Sequence, residues 1–247
     1  MGLWQKTTLK SIQYWNDHLA SFTLDLTLEK MKPGQYVNLG LPSEEGKRIK
    51  RSYSMSSQAS NLVELLIVRV DGGAFTSKLF NLKEGDEIEY MPRPMGRFTV
   101  DRVPEGRDLW LMASGTGLSP YISVVRSQGV WDRFERVILV HGVRHLDDLA
   151  YTEELKALTQ TRPFTYVSCV SRQEGGDFHG RITHMFDEGI LEKQVNYHLS
   201  AEHSQVMLCG HPQLVDDLKT RLIQRGMTPN KRMDGQITEE MYWVEDK

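Results

Sequence analysis

The spacing of apolar residues changes character once along this chain, and that change restricts the fold more than any other feature. Before about residue 100, apolar and polar residues alternate in short runs separated by turn residues. Phe22-Thr23-Leu24-Asp25-Leu26-Thr27-Leu28 alternates without a break, as a half-buried strand does when successive side chains point to opposite faces. Pro33-Gly34 predicts a turn, with a second strand over 35–39. Residues 62–70 are more continuously apolar, and Asp71-Gly72-Gly73 ends them. Lys83-Glu84-Gly85-Asp86 is another turn before a strand over 87–91, and one helix is predicted near 76–82. Short strands with such punctuation predict an antiparallel barrel or sandwich.

After Asp101-Arg102-Val103-Pro104-Glu105-Gly106 the pattern becomes short apolar runs alternating with helical stretches. Strands are predicted over 109–113, 137–141, 164–170 and 206–209, with helices over 119–128, 152–160, 182–188 and 213–225. Alternating strands and helices predict a parallel sheet with crossover helices. The fold class is therefore α+β, with two domains at 1–101 and 102–247, and 247 residues suffice for two modest cores.

Composition excludes several classes. Hydrophobic residues at 39% and charged residues at 26% suit a soluble globular enzyme. No apolar run reaches the roughly 20 residues of a membrane helix. The N-terminus lacks the charged and apolar regions of a secretory signal, so a cytoplasmic location is expected. Two cysteines, Cys169 and Cys209, cannot build a four-cysteine cluster or zinc site from this chain alone. A net charge of −3 implies no bulk attraction to nucleic acid, although the first domain is slightly positive.

Several short segments combine residue types that bind phosphate-linked heterocycles. In Arg51-Ser52-Tyr53-Ser54, strand alternation puts Arg51 and Tyr53 on one face and Ser52 and Ser54 on the other. A guanidinium can hold pyrophosphate bidentately, and an aromatic face can cover a ring. The plain alternative is a surface strand with a packed tyrosine. Gly115-Thr116-Gly117-Leu118-Ser119-Pro120 joins a strand to a helix, so its backbone can approach a pyrophosphate; a simple strand–helix turn has the same residues. Arg144, Ser171-Arg172 and Arg181 follow successive strands, at the sheet end where ligands collect. Solvated surface arginines are the alternative. Cys209-Gly210 ends a strand, where glycine admits a planar ring and a buried cysteine can be mere packing. Thr76, after Gly73-Ala74-Phe75, is expected to cap a helix whose free N–H groups bind phosphate. The tail carries Tyr242-Trp243.

In this order along nearly the whole chain, these segments resemble the bacterial ferredoxin/flavodoxin–NADP reductases of the ferredoxin–NADP reductase superfamily. Pro33-Gly34-Gln35 resembles the family's early turn, and Arg51-Ser52-Tyr53-Ser54 its flavin signature. The resemblance implies an FAD-binding β-barrel at 1–101 and an NADP-binding α/β domain at 102–247. It implies that Arg51 holds the FAD pyrophosphate, Tyr53 stacks on the flavin ring and Ser54 lies at its reactive edge. Val68-Arg69-Val70 and Gly73-Ala74-Phe75-Thr76 fall where the family binds ribityl and pyrophosphate, and Trp243 where it covers adenine. Thr116, Gly117, Arg144, Ser171, Arg172, Arg181, Cys209 and Gly210 fall where it binds NADP. Ser54 and Cys209 are the implied catalytic positions. The implied partner is a separate carrier, ferredoxin or flavodoxin, met by a monomer; Lys47, Arg48, Lys50 and Arg51 form a basic run beside the flavin strand.

Two other readings use the same folds. An NAD(P)H:flavin reductase would release its flavin, whereas a non-catalytic flavoprotein subunit would belong to a larger complex. A tightly held flavin distinguishes the reductase of a carrier protein from the first.

Overall fold

The computed structural model describes residues 4–26, 28, 30–43, 45–58 and 61–242. The chain forms two compact units, Met1–Thr99 with Ser119–Ser127, and Val100–Leu118 with Gln128–Lys247.

The first unit is built from β1 (Gln5–Asn16), β2 (Leu19–Leu24), β3 (Tyr36–Pro42), β4 (Arg48–Ser54), β5 (Val63–Val68) and β6 (Glu87–Tyr90). They lie in the order β4-β3-β6-β1-β2-β5, with every pairing antiparallel. A bridge between Met55 and Leu65 joins the two ends of that order, and the Ser56 N–H donates to the Glu64 carbonyl at 2.8 Å. The sheet thereby closes as the predicted barrel around Phe22, Leu24, Val37, Leu39, Leu65 and Ile67. Two helices complete the unit, α1 (Thr76–Leu79) and α2 (Ser119–Arg126). Polar contacts tie α2 to the barrel: the Ser119 hydroxyl donates to the Ser54 carbonyl at 2.7 Å, and Ser123 Oγ accepts the Gly34 N–H at 2.9 Å.

Three details depart from the sequence expectations. The alternating run 22–28 predicts a strand, but β2 stops at Leu24. Its partner β5 ends there, at the pair Leu24–Val63. The alternation continues because Leu26 and Leu28 still point into the core. β1 is unanticipated. It pairs with both β2 and β6, and its register shifts twice against β2, which breaks the period of two. α1 is one turn long and ends at Leu79, not near residue 82.

The second unit holds β7 (Asp108–Ser114), β8 (Arg136–Val143), β9 (Phe164–Val170), β10 (Phe178–His179), β11 (Ser204–Gly210) and β12 (Ile237–Met241). The order is β10-β9-β8-β7-β11-β12, all parallel. Its helices are α3 (Gln128–Trp131), α4 (Thr152–Leu158), α5 (Ile182–Asp187), α6 (Ile190–Val195) and α7 (Pro212–Gln224). Trp110, Met112, Ile138, Val140, Val167 and Leu208 face one way from the sheet and pack against α5, α6 and α7. The strand order reverses at β7, which leaves a crevice at the carboxyl ends of its neighbours. β12 was not foreseen because Ile-Thr-Glu-Glu-Met carries two charges. It is an edge strand, where charge is tolerated, and Glu239 pairs with Lys219 of α7 at 2.6 Å.

Val215, Leu218 and Leu222 form the buried stripe of α7. Leu218→Ala should cost about 2–5 kcal/mol, as large-to-small core changes do. Ile223→Ala, at a position 46% exposed, should stay within about 0.5 kcal/mol. Urea unfolding midpoints of the two variants check the contrast.

Candidate functional site

β4 alternates as expected. Ile49, Arg51 and Tyr53 are half-buried, whereas Lys50 and Ser52 are exposed. The Ser52 hydroxyl donates to Asn38 Oδ1 at 2.6 Å. Ser54, where the strand ends, is buried. The Tyr53 ring lies 5.6 Å from Phe75, tilted by 41°. Burial pushes the Tyr53 phenol up, and the nearby Arg51 guanidinium opposes that shift only partly. The hydroxyl therefore stays protonated, and cation and ring share one face.

Phe75 belongs to the turn that joins β5 to α1, so Tyr53 packs directly on that turn. Thr76 does not cap α1. It lies inside the first turn, no side chain caps the helix, and its Oγ1 instead accepts the Val70 N–H at 3.0 Å. A hydroxyl spent on closing the loop 70–76 cannot also cap. A Cβ on Gly73 would stand 2.8 Å from that Oγ1, so the close approach requires glycine. Val68, Arg69, Val70 and Ala74 are exposed beside this turn. Trp243 lies outside the described residues. A guanidinium and a half-buried aromatic ring packed on a tight glycine-containing turn fit a phosphate-linked flat heterocycle such as FAD.

In the second unit, a 3₁₀ turn over Gly115–Leu118 follows β7. A Cβ on Gly117 would meet the Cys209 carbonyl oxygen at 2.4 Å. Gly210 has φ +131°, and a Cβ there would meet Ser114 Oγ at 2.4 Å. Ser114 Oγ in turn accepts the His211 N–H at 3.0 Å. The turn and the end of β11 thus meet as bare backbone, with Thr116 half-exposed above them. Such a glycine cradle fits a dinucleotide's pyrophosphate and ring.

His141 of β8 supports this turn from beneath, a role the sequence reading did not assign. Its Nε2–H donates to the Gly115 carbonyl at 3.0 Å. Burial pushes its pKa down to about 4, although the Gly115 bond favours the proton, so the ring is neutral. The signal in the sequence was a lone histidine inside an apolar strand, which marks core packing just as well. Cys209 is fully buried. Burial first, and the charge of Glu240 second, push its thiol well above the usual value, which nearby Tyr242 opposes only in part. It is a thiol, not a thiolate nucleophile.

Arg144, Arg172 and Arg181 are exposed at the carboxyl ends of β8, β9 and β10. The Arg172 N–H donates to the Arg144 carbonyl at 3.0 Å, so these two lie side by side just past the ends of β8 and β9. Ser171 bonds the Val143 carbonyl through its N–H and its hydroxyl, each at 3.1 Å. Arg181 immediately precedes α5. Among the described residues, none of the three guanidinium groups pairs with a carboxylate. The basic run near β4 is weaker than its sequence implies. Lys47 pairs with Glu45 at 2.9 Å, and Arg48 grips Glu89 with two nitrogens. Lys50 keeps its charge exposed, and so do Arg93 and Arg97 in the segment that bonds β3 at Tyr36 and Asn38. The two latter arginines went unnoticed because they sit among prolines and methionines far from Lys50 in sequence.

Two family models together span most of the chain: an oxidoreductase FAD-binding domain matches residues 6–100, and an oxidoreductase NAD-binding domain matches residues 111–220. They define the class as a flavin- and nicotinamide-binding oxidoreductase. The chain is 34% identical over 249 residues to a flavodoxin/ferredoxin–NADP reductase of Escherichia coli (strain K12), covering 98% of this chain and all of that one. It is 32% identical over 260 residues to the same-named protein of Buchnera aphidicola subsp. Schizaphis graminum (strain Sg), again over 98% and 100% of the two chains. A ferredoxin NADP+ reductase from Neisseria gonorrhoeae, solved with bound FAD and NADP, superposes with a TM-score of 0.91 at 25% identity, over 97% of this chain and 99% of that one. The chain belongs to the flavodoxin/ferredoxin–NADP reductase family.

The buried His141 links stability to pH. Its pKa is about 4 when folded, against an ordinary 6.5. Between these values the unfolded chain binds more protons, so stability falls as pH falls through that window. His141→Gln keeps a donor for Gly115 without the titration. Urea midpoints at about pH 7.5 and about pH 4.5 should therefore drop further in wild type than in the variant. Equal drops would assign the acid sensitivity to other groups.

Proposed function

We propose that this chain transfers electrons between NADPH, as a hydride, and a carrier protein, ferredoxin or flavodoxin, one at a time, as a monomer in the cytoplasm. The observation that carries the reading is the set of three arginines at adjacent strand ends, without carboxylate partners among the described residues, beside a glycine cradle. NADPH differs from NADH by one phosphate on the adenine ribose, and only that phosphate gives such a cluster something to bind. Full-length similarity to proteins named as these reductases supports the same conclusion.

In this reading residues 1–101 hold FAD and residues 102–247 hold NADPH. Bound FAD supplies the exchange between a hydride and single electrons. Arg51 neutralises its pyrophosphate, Tyr53 covers the ring, and the Ser54 hydroxyl stands at the reactive edge. Val68, Arg69 and Val70, with Gly73, Ala74, Phe75 and Thr76, hold the ribityl and phosphate portion, and Trp243 covers the adenine. Thr116 and Gly117 receive the NADPH pyrophosphate. Arg144, Ser171, Arg172 and Arg181 bind the phosphorylated ribose. Cys209 and Gly210 border the nicotinamide; the neutral thiol there adds bulk and a weak donor without competing as a nucleophile.

The first test is the cofactor. The purified protein should be yellow, and acid should release stoichiometric FAD. FMN, or a colourless protein, would overturn the reading.

The second test is nucleotide choice. Arg172→Ala and Arg181→Ala should each raise the KM for NADPH about tenfold or more, since a charge-assisted bond is worth ~1.5–3 kcal/mol. The NADH reaction and kcat should change little, as expected for lost uniform binding. Steady-state ferricyanide reduction with each nucleotide decides it.

The third test is the carrier. Lys50→Glu, combined with Arg93→Glu, should slow cytochrome reduction through an acidic ferredoxin or flavodoxin and spare direct ferricyanide reduction. The wild-type carrier reaction should itself weaken with salt.

A further inference from the structure

Arg172 and Arg181 can act on one phosphate only if the segment between them, 173–180, keeps a single shape. That segment contains Gly175 at φ +126° and Gly176 at φ +73°, which give it unusual freedom in the unfolded chain. The two-residue strand β10 that follows is too short to choose its own register.

His179 Nδ1 meets the Gln173 carbonyl across the segment at 2.8 Å, and Asp177 ties the segment to β9. One carboxylate oxygen, Oδ2, accepts both the Ser168 N–H at 2.8 Å and the Ser168 hydroxyl at 2.7 Å. The Asp177 N–H returns to Ser168, to its carbonyl at 2.9 Å and its Oγ at 3.1 Å. Ser168 lies on β9 with only 6% of its surface exposed, so the anchor is rigid. Directly beyond this clasp Phe178 pairs with Cys169, His179 pairs with Val170, and the Gly180 N–H donates to the Val170 carbonyl at 2.8 Å. Arg181 is the next residue. A slip of one residue at Asp177 would turn every following side chain to the opposite face. Arg172 needs no such help, because its backbone is already bonded to Arg144 across β8.

We propose that Asp177 is a positioning residue for NADPH selection, which clasps Ser168, sets the register of β10 and so holds Arg181 beside Arg172. This inference rests on the nucleotide assignment above. It predicts that the acceptor oxygen matters and the negative charge does not, since both bonds from Ser168 end on one atom.

The test is calorimetric titration of the flavin-loaded protein with 2′,5′-ADP and with 5′-AMP, which differ only in the phosphate. A wild type that binds both equally would remove the nucleotide assignment itself, and this role with it. Given a wild-type preference, Asp177→Ala should weaken 2′,5′-ADP by about tenfold and leave 5′-AMP within about twofold. Asp177→Asn keeps one acceptor oxygen and should recover most of the loss. Ser168→Ala, which removes one of the two bonds, should give a smaller loss in the same direction, and it serves if Asp177→Ala fails to fold. In turnover the change should appear in the KM for NADPH with kcat unmoved. Unchanged 2′,5′-ADP binding in Asp177→Ala, equal loss of both nucleotides, or an Asp177→Asn protein as weak as Asp177→Ala would each overturn the proposal.

Discussion

Bare backbone meeting bare backbone at the end of the parallel sheet is the constraint on which the second unit depends. Gly117 lies too close to the Cys209 carbonyl to carry a side chain, and Gly210 lies too close to Ser114. These contacts exist because the strand order reverses at β7, so the turn after β7 must settle against β11 rather than continue away from it. Everything nearby follows from that arrangement. His141 is buried because the turn covers it, it is neutral because it is buried, and its remaining N–H holds the turn at Gly115. Cys209 sits under the same cover and keeps its proton for the same reason. The arginines then occupy the strand ends on the β8–β9–β10 side, where no carboxylate among the described residues pairs with them.

The barrel shows the same economy in different materials. Thr76 closes the loop from Val70, Phe75 is buried beneath Tyr53, and Gly73 leaves room for Thr76 and Val70. Tyr53 is thereby fixed in orientation without using its own hydroxyl. The segment most exposed in this region, from Val68 to Val70, is held through backbone bonds: Arg69 to His18 and Val70 to Thr76. Residues whose side chains build the turn are buried, and Val68, Arg69 and Val70 beside it are exposed.

Several misreadings share one cause, which is that a partner strand or helix lies far away in sequence. β1 was not foreseen because two neighbours demand different registers from it. β12 was not foreseen because its two adjacent charges are half-buried at a sheet edge, where Glu239 pairs with Lys219. Helix α2 follows the glycine turn in sequence, yet its serines bond the barrel at Gly34 and Ser54. Within the basic run, Arg48 is neutralised by Glu89, which is adjacent only through β-pairing.

Local periodicity alone was enough for the antiparallel-then-parallel architecture and for the positions of β7, β8, β9 and β11, and residue chemistry marked the segments offered as cofactor-binding. Those features depend on local periodicity and on residue types whose chemistry is intrinsic. Only the tertiary structure decided which of them act together. Thr76 became a loop clasp instead of a cap, His141 became the support of a turn, and Asp177 became the anchor of a strand. The physical reason is common to all three: a hydroxyl, an imidazole or a carboxylate has no fixed role until folding supplies the backbone group within hydrogen-bond reach.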